Sequence, residues 1–465
     1  NPTIMKKSLL FVLLLVCNVI LAQEHFAGLT TSARGGMIAA DMNPAELVNL
    51  NNRFEFNIYG LSLNVSNNKI GISDIISNNN LEDLLFQGND PVTMKISFEA
   101  LGPGFAVKVK RWAFGVSTKA SGKLDVLNVN PNLGEAIFNN SLSNSVIQLN
   151  SNDNQKLTGI VWGEVGLTAA RSIIDNKKNK LSIGATFKIL FPGAYSNIGL
   201  QNSAGTISQI GNNIYLNNFS SNLNIAYSGS LANGFSTFND YSKSVFGNIN
   251  GFVGDIGANY QIKSFDEEDK DKKSNKYKNK YKLSAGFSIK NIGNMTFEDE
   301  NNYNTDYSLQ IQSTPQNPNG LNLNQFENID NPQDIETILA NNGYLYTQSP
   351  IKKTISVQMP TTFSAYVDVK LIPKVYLSGF IQQKFNNGQD NDQMAIANII
   401  TVTPRLNLGF FEIYSPWTRN EVSGTNGGLG FRLGGFYLGS SSIATAIIND
   451  TKQVDIYTGF RWAFL

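Results

Sequence analysis

Leu283-Ser284-Ala285-Gly286-Phe287-Ser288-Ile289 sets apolar side chains on one parity and small polar ones on the other. That alternation has the period of a strand with one apolar face, and helical spacing does not fit it. The pattern recurs. Leu181, Ile183, Ala185, Phe187 and Ile189 oppose Ser182, Gly184, Thr186 and Lys188, and Phe363, Ala365, Val367, Val369 and Leu371 oppose Ser364, Tyr366, Asp368 and Lys370. At the C-terminal end Val454, Ile456, Phe460, Trp462 and Phe464 oppose Asp455, Tyr457, Gly459 and Arg461. A soluble sandwich also alternates, but here the second face is Gly, Ser and Thr with scattered charge, as in a barrel with a polar lumen.

Strands of this kind are expected near 53–65, 95–109, 112–126, 157–171, 181–193, 251–262, 281–297, 354–371, 374–387, 393–402, 405–414, 427–434, 436–444 and 453–464. An even number, about fourteen, returns the C-terminus to the side on which the chain began. Short turns are predicted at Lys110-Arg111, Ile372-Pro373, Thr403-Pro404 and Gly434-Gly435. Long connections at 66–94, 127–156, 194–250 and 298–353 alternate with them, as periplasmic turns alternate with external loops in membrane barrels. Asn222–Tyr227 leaves open an additional hairpin inside 194–250. The stretch Asp266-Glu267-Glu268-Asp269-Lys270-Asp271-Lys272-Lys273 interrupts the rule and reads as a solvated turn. It is no EF-hand loop, because Asp271 stands where that loop needs Gly.

Composition agrees with a membrane wall. Charged residues make up 16% of the 465, below the roughly 25% of soluble domains, and aromatics make up 11%. Met5-Lys6-Lys7, an apolar run from Leu9 to Leu21, and Ala22 have the layout of a cleavable signal peptide over residues 1–22. Residues 1–4 precede the expected natural start at Met5. Loss of Lys6 and Lys7 from the 37 basic residues leaves 35 against 36 acidic ones, so nothing favours nucleic acid. The single cysteine, Cys17, leaves with the signal, which removes disulfides and thiolate metal sites from the mature chain.

Just beyond the signal, Gly28-Leu29-Thr30-Thr31-Ser32-Ala33-Arg34-Gly35-Gly36-Met37-Ile38-Ala39-Ala40-Asp41-Met42 ends in Asn43-Pro44-Ala45 before the first strand. This segment resembles the FadL family of outer-membrane hydrophobe transporters and its PorV-type relatives of protein secretion systems. Gly104–Gly115, Asp255–Tyr260 and Lys282–Gly293 are similar to strand pairs of the same superfamily. The resemblance implies an all-β, transmembrane antiparallel β-barrel over residues 51–465, with an N-terminal hatch at 23–50 inside the lumen. It implies an outer-membrane location in gram-negative bacteria, with membrane lipid as the surroundings. It also implies passive transport or binding of small hydrophobic molecules. The alternative is a non-transporting scaffold or shuttle for secretion-system proteins.

No cofactor, metal or catalysis is expected. His25 is the only histidine and is read as part of a frayed end; a Ser-His-Asp triad has no other base. Gly424–Gly430 matches a phosphate loop only in glycine content and leads into a strand. Strand parity aims Lys188, Asp255, Lys282, Asp368, Lys370, Arg432, Asp455 and Arg461 into the lumen, where they tie a hatch to the wall or touch a ligand. A carboxylate-bearing hydrophobe would favour Arg432 and Arg461. Cleavage after Ala22 predicts Gln23 as the mature N-terminus. Sequencing of membrane-fraction protein checks this; Met5, or an acylated Cys17, would contradict it.

Overall fold

The structure is a computed structural model that describes residues 25–464 apart from 78, 140–141, 143–144, 229–248, 265–280, 328 and 330–331. The signal peptide, Cys17 and the charged stretch 266–273 lie outside the described residues. Fourteen antiparallel strands close into one ring. They are β1 (Phe54–Asn67), β2 (Val92–Leu101 continued by Gly104–Val109), β3 (Trp112–Val129), β4 (Gln155–Asp175) and β5 (Asn179–Ile210). Next come β6 (Gly251–Lys263), β7 (Tyr281–Glu298), β8 (Thr354–Gln358 and Thr362–Ile372), β9 (Val375–Lys384) and β10 (Ile399–Asn407). The ring ends with β11 (Phe411–Tyr414 and Trp417–Asn420), β12 (Gly424–Gly427 and Leu429–Leu433), β13 (Phe436–Ser440) and β14 (Gln453–Phe464). β14 closes on β1 from Phe54↔Phe464 to Ser66↔Gln453.

Alternation sorts the side chains as the residue types demand. Leu61, Phe114, Ile183, Phe187, Phe287, Val367, Val402, Ile456 and Trp462 are exposed on the outer surface. Between them Thr186, Ser284, Ser288, Ser364 and Asp368 are buried in the lumen. An apolar belt around a closed, polar-lined ring is the arrangement that hydrocarbon requires.

One predicted turn is wrong. Pro404 lies inside β10, paired with Leu377, and the chain reverses at 408–410 instead of Thr403-Pro404. Proline lacks the N–H that a central strand needs. Here its ladder edge faces Ser415-Pro416, where β11 is interrupted, so no donor is missed; Ser415 N–H still donates to the Pro404 carbonyl at 3.1 Å. The turns at Lys110-Arg111 and Gly434-Gly435 stand where expected, and the one after β8 falls at Pro373-Lys374.

The long-loop end carries more than loops. β5 runs 32 residues, and its outer half pairs with Asn213–Tyr227 and Val146–Ser151. Asn213–Tyr227 pairs in turn with Tyr303–Ile311 and Leu321–Asn322. The hairpin left open by the sequence therefore exists, but it belongs to an external cap and adds nothing to the wall. Ile207, Leu216, Phe219, Ile225 and Ile311 form the cap's own core beneath the helix Pro332–Asn341. Tyr303 and Tyr307 both donate to Glu336 of that helix. Burial and this carboxylate push both phenols up, Tyr307 to about 12, so they remain donors.

Inside the ring lie residues 25–50, with the short helix α1 (Met37–Met42) and a 3-10 turn, Pro44–Asn49. Asn43 organises their junction. Its side-chain oxygen accepts from Ala45 N–H at 3.0 Å, and its amide donates to the Ala258 carbonyl at 2.9 Å. Pro44 at the first position of the turn has no N–H to leave unmet. The wall makes room with two glycines that are cross-strand partners, Gly184 on β5 and Gly257 on β6. A Cβ on Gly184 would stand 2.5 Å from the Pro44 carbonyl carbon, and one on Gly257 2.1 Å from Asn43 Oδ1.

Two outcomes test this arrangement. Val367→Arg places a cation against lipid at a cost of about 2–4 kcal/mol near mid-bilayer. It should lower the folded fraction in a heat-modifiability gel, whereas Val367→Ile should not. Gly257→Val should leave the barrel heat-modifiable but undock the Asn43–Ala45 junction, so that trypsin cuts after Arg34, which is buried in the parent. Mass spectrometry of the fragments reads the cut, and a protected Arg34 would refute the docking role of the glycine pair.

Candidate luminal binding site

Above α1 the lumen opens into a chamber. Its apolar lining comes from Phe26 and Ile38 of the luminal segment and from Trp162, Met359 and Phe380 of the wall. Charge lines the rest: Asp41, Glu99, Lys119, Lys123, Glu164 and Lys290. Strand periodicity puts these side chains here. Lys119, Ser121 and Lys123 share the inward parity of β3, opposite Phe114, Val116 and Leu124.

The charges are joined into one network. Lys119 Nζ stands 3.3 Å from Glu164, 3.6 Å from Glu99 and 3.6 Å from Asp41. Lys290 approaches the other Asp41 oxygen at 3.6 Å, so Asp41 on α1 bridges strands β3 and β7 of the wall. Lys188 pairs with Asp255 at 2.8 Å, reaches Glu164 at 3.9 Å and donates to Asn291 Oδ1 at 3.0 Å. Removing one member of a buried pair strands its partner and costs about 3–5 kcal/mol.

A second network lies toward the short-turn end. Arg405 pairs with Asp368 at 2.6 Å and with Glu412 at 3.0 Å, and Arg432 pairs with Glu412 at 3.0 Å. Ser32 of the luminal segment donates to the same Glu412 at 2.7 Å. Arg461 pairs with Glu55 at 2.8 Å and donates to the Arg34 carbonyl at 2.6 Å, while Glu55 accepts Met37 N–H at 2.7 Å. The wall thus grips the segment through side chains on β1, β11 and β14.

The residues expected in the lumen divide accordingly. Lys188, Asp255, Asp368, Arg432, Asp455 and Arg461 are buried inside the ring. Arg432 and Arg461 line a separate recess at the short-turn end with Arg34 and Glu55, and each is already matched by a carboxylate; neither lines the chamber. Asp455 caps an external turn, accepting from Ser441 N–H and Ser442 Oγ, each at 2.7 Å. Lys370 is half-buried near the Pro373-Lys374 turn.

Lys282 requires correction: it is exposed, because a bulge between Tyr281 and Leu283 gives the inward place to Tyr281. His25 also differs from the expected frayed end. It lines the chamber, its Nδ1 2.8 Å from Ser62 Oγ. The chamber residues missed by sequence reading, Lys119, Glu99, Glu164 and Lys290, obey the same parity rule, Lys290 directly after the cleanly alternating Leu283–Ile289. Asp41 had no such signal, since its place depends on how α1 docks.

Similar solved structures include the toluene transporter TbuX of Ralstonia pickettii, with 12% identity and a TM-score of 0.43, covering 95% of this chain and 99% of that one. The toluene transporter TodX of Pseudomonas putida has 8% identity and a TM-score of 0.42, covering 92% and 94%. A FadL homologue of Pseudomonas aeruginosa has 11% identity and a TM-score of 0.31, covering 95% and 98%. No curated protein matches the sequence. The closed ring and its apolar belt make the chain a transmembrane β-barrel. A family profile matches residues 44–441, and the protein belongs to that family, the family of unknown function DUF5723.

Proposed function

We propose that the protein is a passive outer-membrane channel that binds small hydrophobic molecules in its chamber, with residues 23–50 acting as the hatch. The observation that carries this reading is the chamber itself, enclosed by the luminal segment and the wall and flanked by Phe26, Ile38, Trp162, Met359 and Phe380, a lining suited to a small apolar ligand. Its floor is α1, held by the Asp41 bridge and by the docking of Asn43 and Pro44.

An exit through the wall is supported by the break in β2. Gly102-Pro103 separate its two halves, beside a register shift in β1 between Asn57 and Tyr59. A second, smaller cavity reaches from Ile38 and Asp41 to this break and to Val116, which is exposed to lipid. A molecule passing along α1 would leave sideways into the membrane and not into the periplasm.

Deletion of residues 24–41 tests the hatch. The expected result is a heat-modifiable barrel whose permeability to small solutes in liposomes rises several-fold. Unchanged permeability together with unchanged uptake of an apolar dye would sink the channel reading in favour of a PorV-like scaffold.

A further inference from the structure

Among the described residues, three polar atoms lining the chamber have no partner: Trp162 Nε1, Ser121 Oγ and His25 Nε2. Trp162 on β4 is 5% exposed, and its indole Nε1–H makes no hydrogen bond; Ser121 on β3 is 2% exposed, and its Oγ makes none either. Both line the chamber, and they are direct cross-strand partners in the β3–β4 ladder. Indole nitrogen is a donor only, and a hydroxyl can donate alongside it. Buried donors are seldom left unmet in folded proteins, because an unsatisfied one forfeits its hydration without return.

The surroundings restrict what can meet them. Two residues along the same inward face, the Lys119↔Glu164 pair brings a cation already contacted by three carboxylates. Lys290 is taken by Asp41, and Lys123 is itself engaged. A carboxylate entering here would meet the charges of Asp41, Glu99 and Glu164, which repel it. A bare hydrocarbon would fill the volume but leave both donors stranded. Around the pair, Met359 and Phe380 offer apolar contact to the remainder of a ligand.

We infer that Trp162 and Ser121 form a selectivity element, and that the chamber takes neutral, mainly apolar molecules bearing a hydrogen-bond acceptor oxygen, such as a ketone or ester. This rests on the reading of the chamber as a binding site for small hydrophobic molecules. It adds which members of that class bind. The logic is that of a pocket built around a hydrogen bond, which rejects an analogue lacking the polar atom more strongly than one lacking a methylene.

The other tryptophans provide the means to test it. Trp112, Trp417 and Trp462 are exposed on the outer belt, so the W112F/W417F/W462F variant leaves Trp162 as the only indole reporter. Purified protein in mild detergent is titrated with 2-octanone, octane and octanoate, read by Trp162 emission and by calorimetry. The expected result is saturable binding of 2-octanone, about tenfold weaker binding of octane and of octanoate, and a loss of roughly 3- to 10-fold for 2-octanone in Ser121→Ala and, by calorimetry, in Trp162→Phe. In both variants the preference for 2-octanone over octane should shrink towards unity, which separates a lost hydrogen bond from a damaged chamber that weakens both ligands alike. Equal binding of octane and 2-octanone, or tightest binding of octanoate, would overturn the selectivity element and leave the chamber reading standing. No binding of any of the three would overturn both.

Discussion

Inside a bilayer no water is available to bond a bare peptide group, so every N–H and C=O at that depth must be met by the protein. For strands the only complete solution is closure, and the β1–β14 ladder supplies it. Much else follows from that one constraint. Once the sheet is a tube, each strand has a lipid face and a lumen face, and residues alternate between them. Polar and charged side chains can then exist at membrane depth only by pointing inward.

Inward charge brings its own demand, since it is removed from bulk water on both sides. The protein meets it by pairing. Lys119, Lys188 and Lys290 are matched by Asp41, Glu99, Glu164 and Asp255, and Arg405, Arg432 and Arg461 by Asp368, Glu412 and Glu55. Both networks reach the luminal segment directly, through Asp41 in one and through Ser32, Arg34 and Met37 in the other. The same ion pairs that make the lumen tolerable thereby anchor the segment that divides it. The segment is rich in small residues and has little core of its own, so its conformation is borrowed from the wall.

Within this frame the lumen has levels. The external cap, with a separate apolar core, stands above the mouth. Below it, an apolar shelf including Trp162, Tyr195, Met295 and Phe297 leads to the chamber. α1 closes the chamber from beneath, and the second arginine network lies under it. Trp162 belongs to both shelf and chamber, and its unmet N–H marks the point where the apolar path turns polar.

Period-two alternation, the spacing of short and long connections, and the inward parity of residues such as Lys188, Asp368 and Arg461 were legible in the order of residues, because they depend only on neighbours along one strand. Asn43-Pro44-Ala45 was likewise visible as a bend. Which residues meet across the lumen was not legible, because it depends on the closed ring. Arg461 and Glu55 come together only through the β1–β14 seam, and Gly184 and Gly257 receive Asn43 and Pro44 only through the pairing of β5 with β6. Local context also overrode expectation twice: Pro404 sits inside a strand because β11 is interrupted beside it, and Lys282 turns outward because a bulge gives its place to Tyr281. Sequence alone thus determined that this chain spans a membrane with strands, since lipid and water impose a periodicity on any strand between them. Tertiary structure decided that the lumen holds a chamber where Trp162 and Ser121 stand unpartnered, because a cavity is made by side chains from distant strands and exists only when the ring is closed.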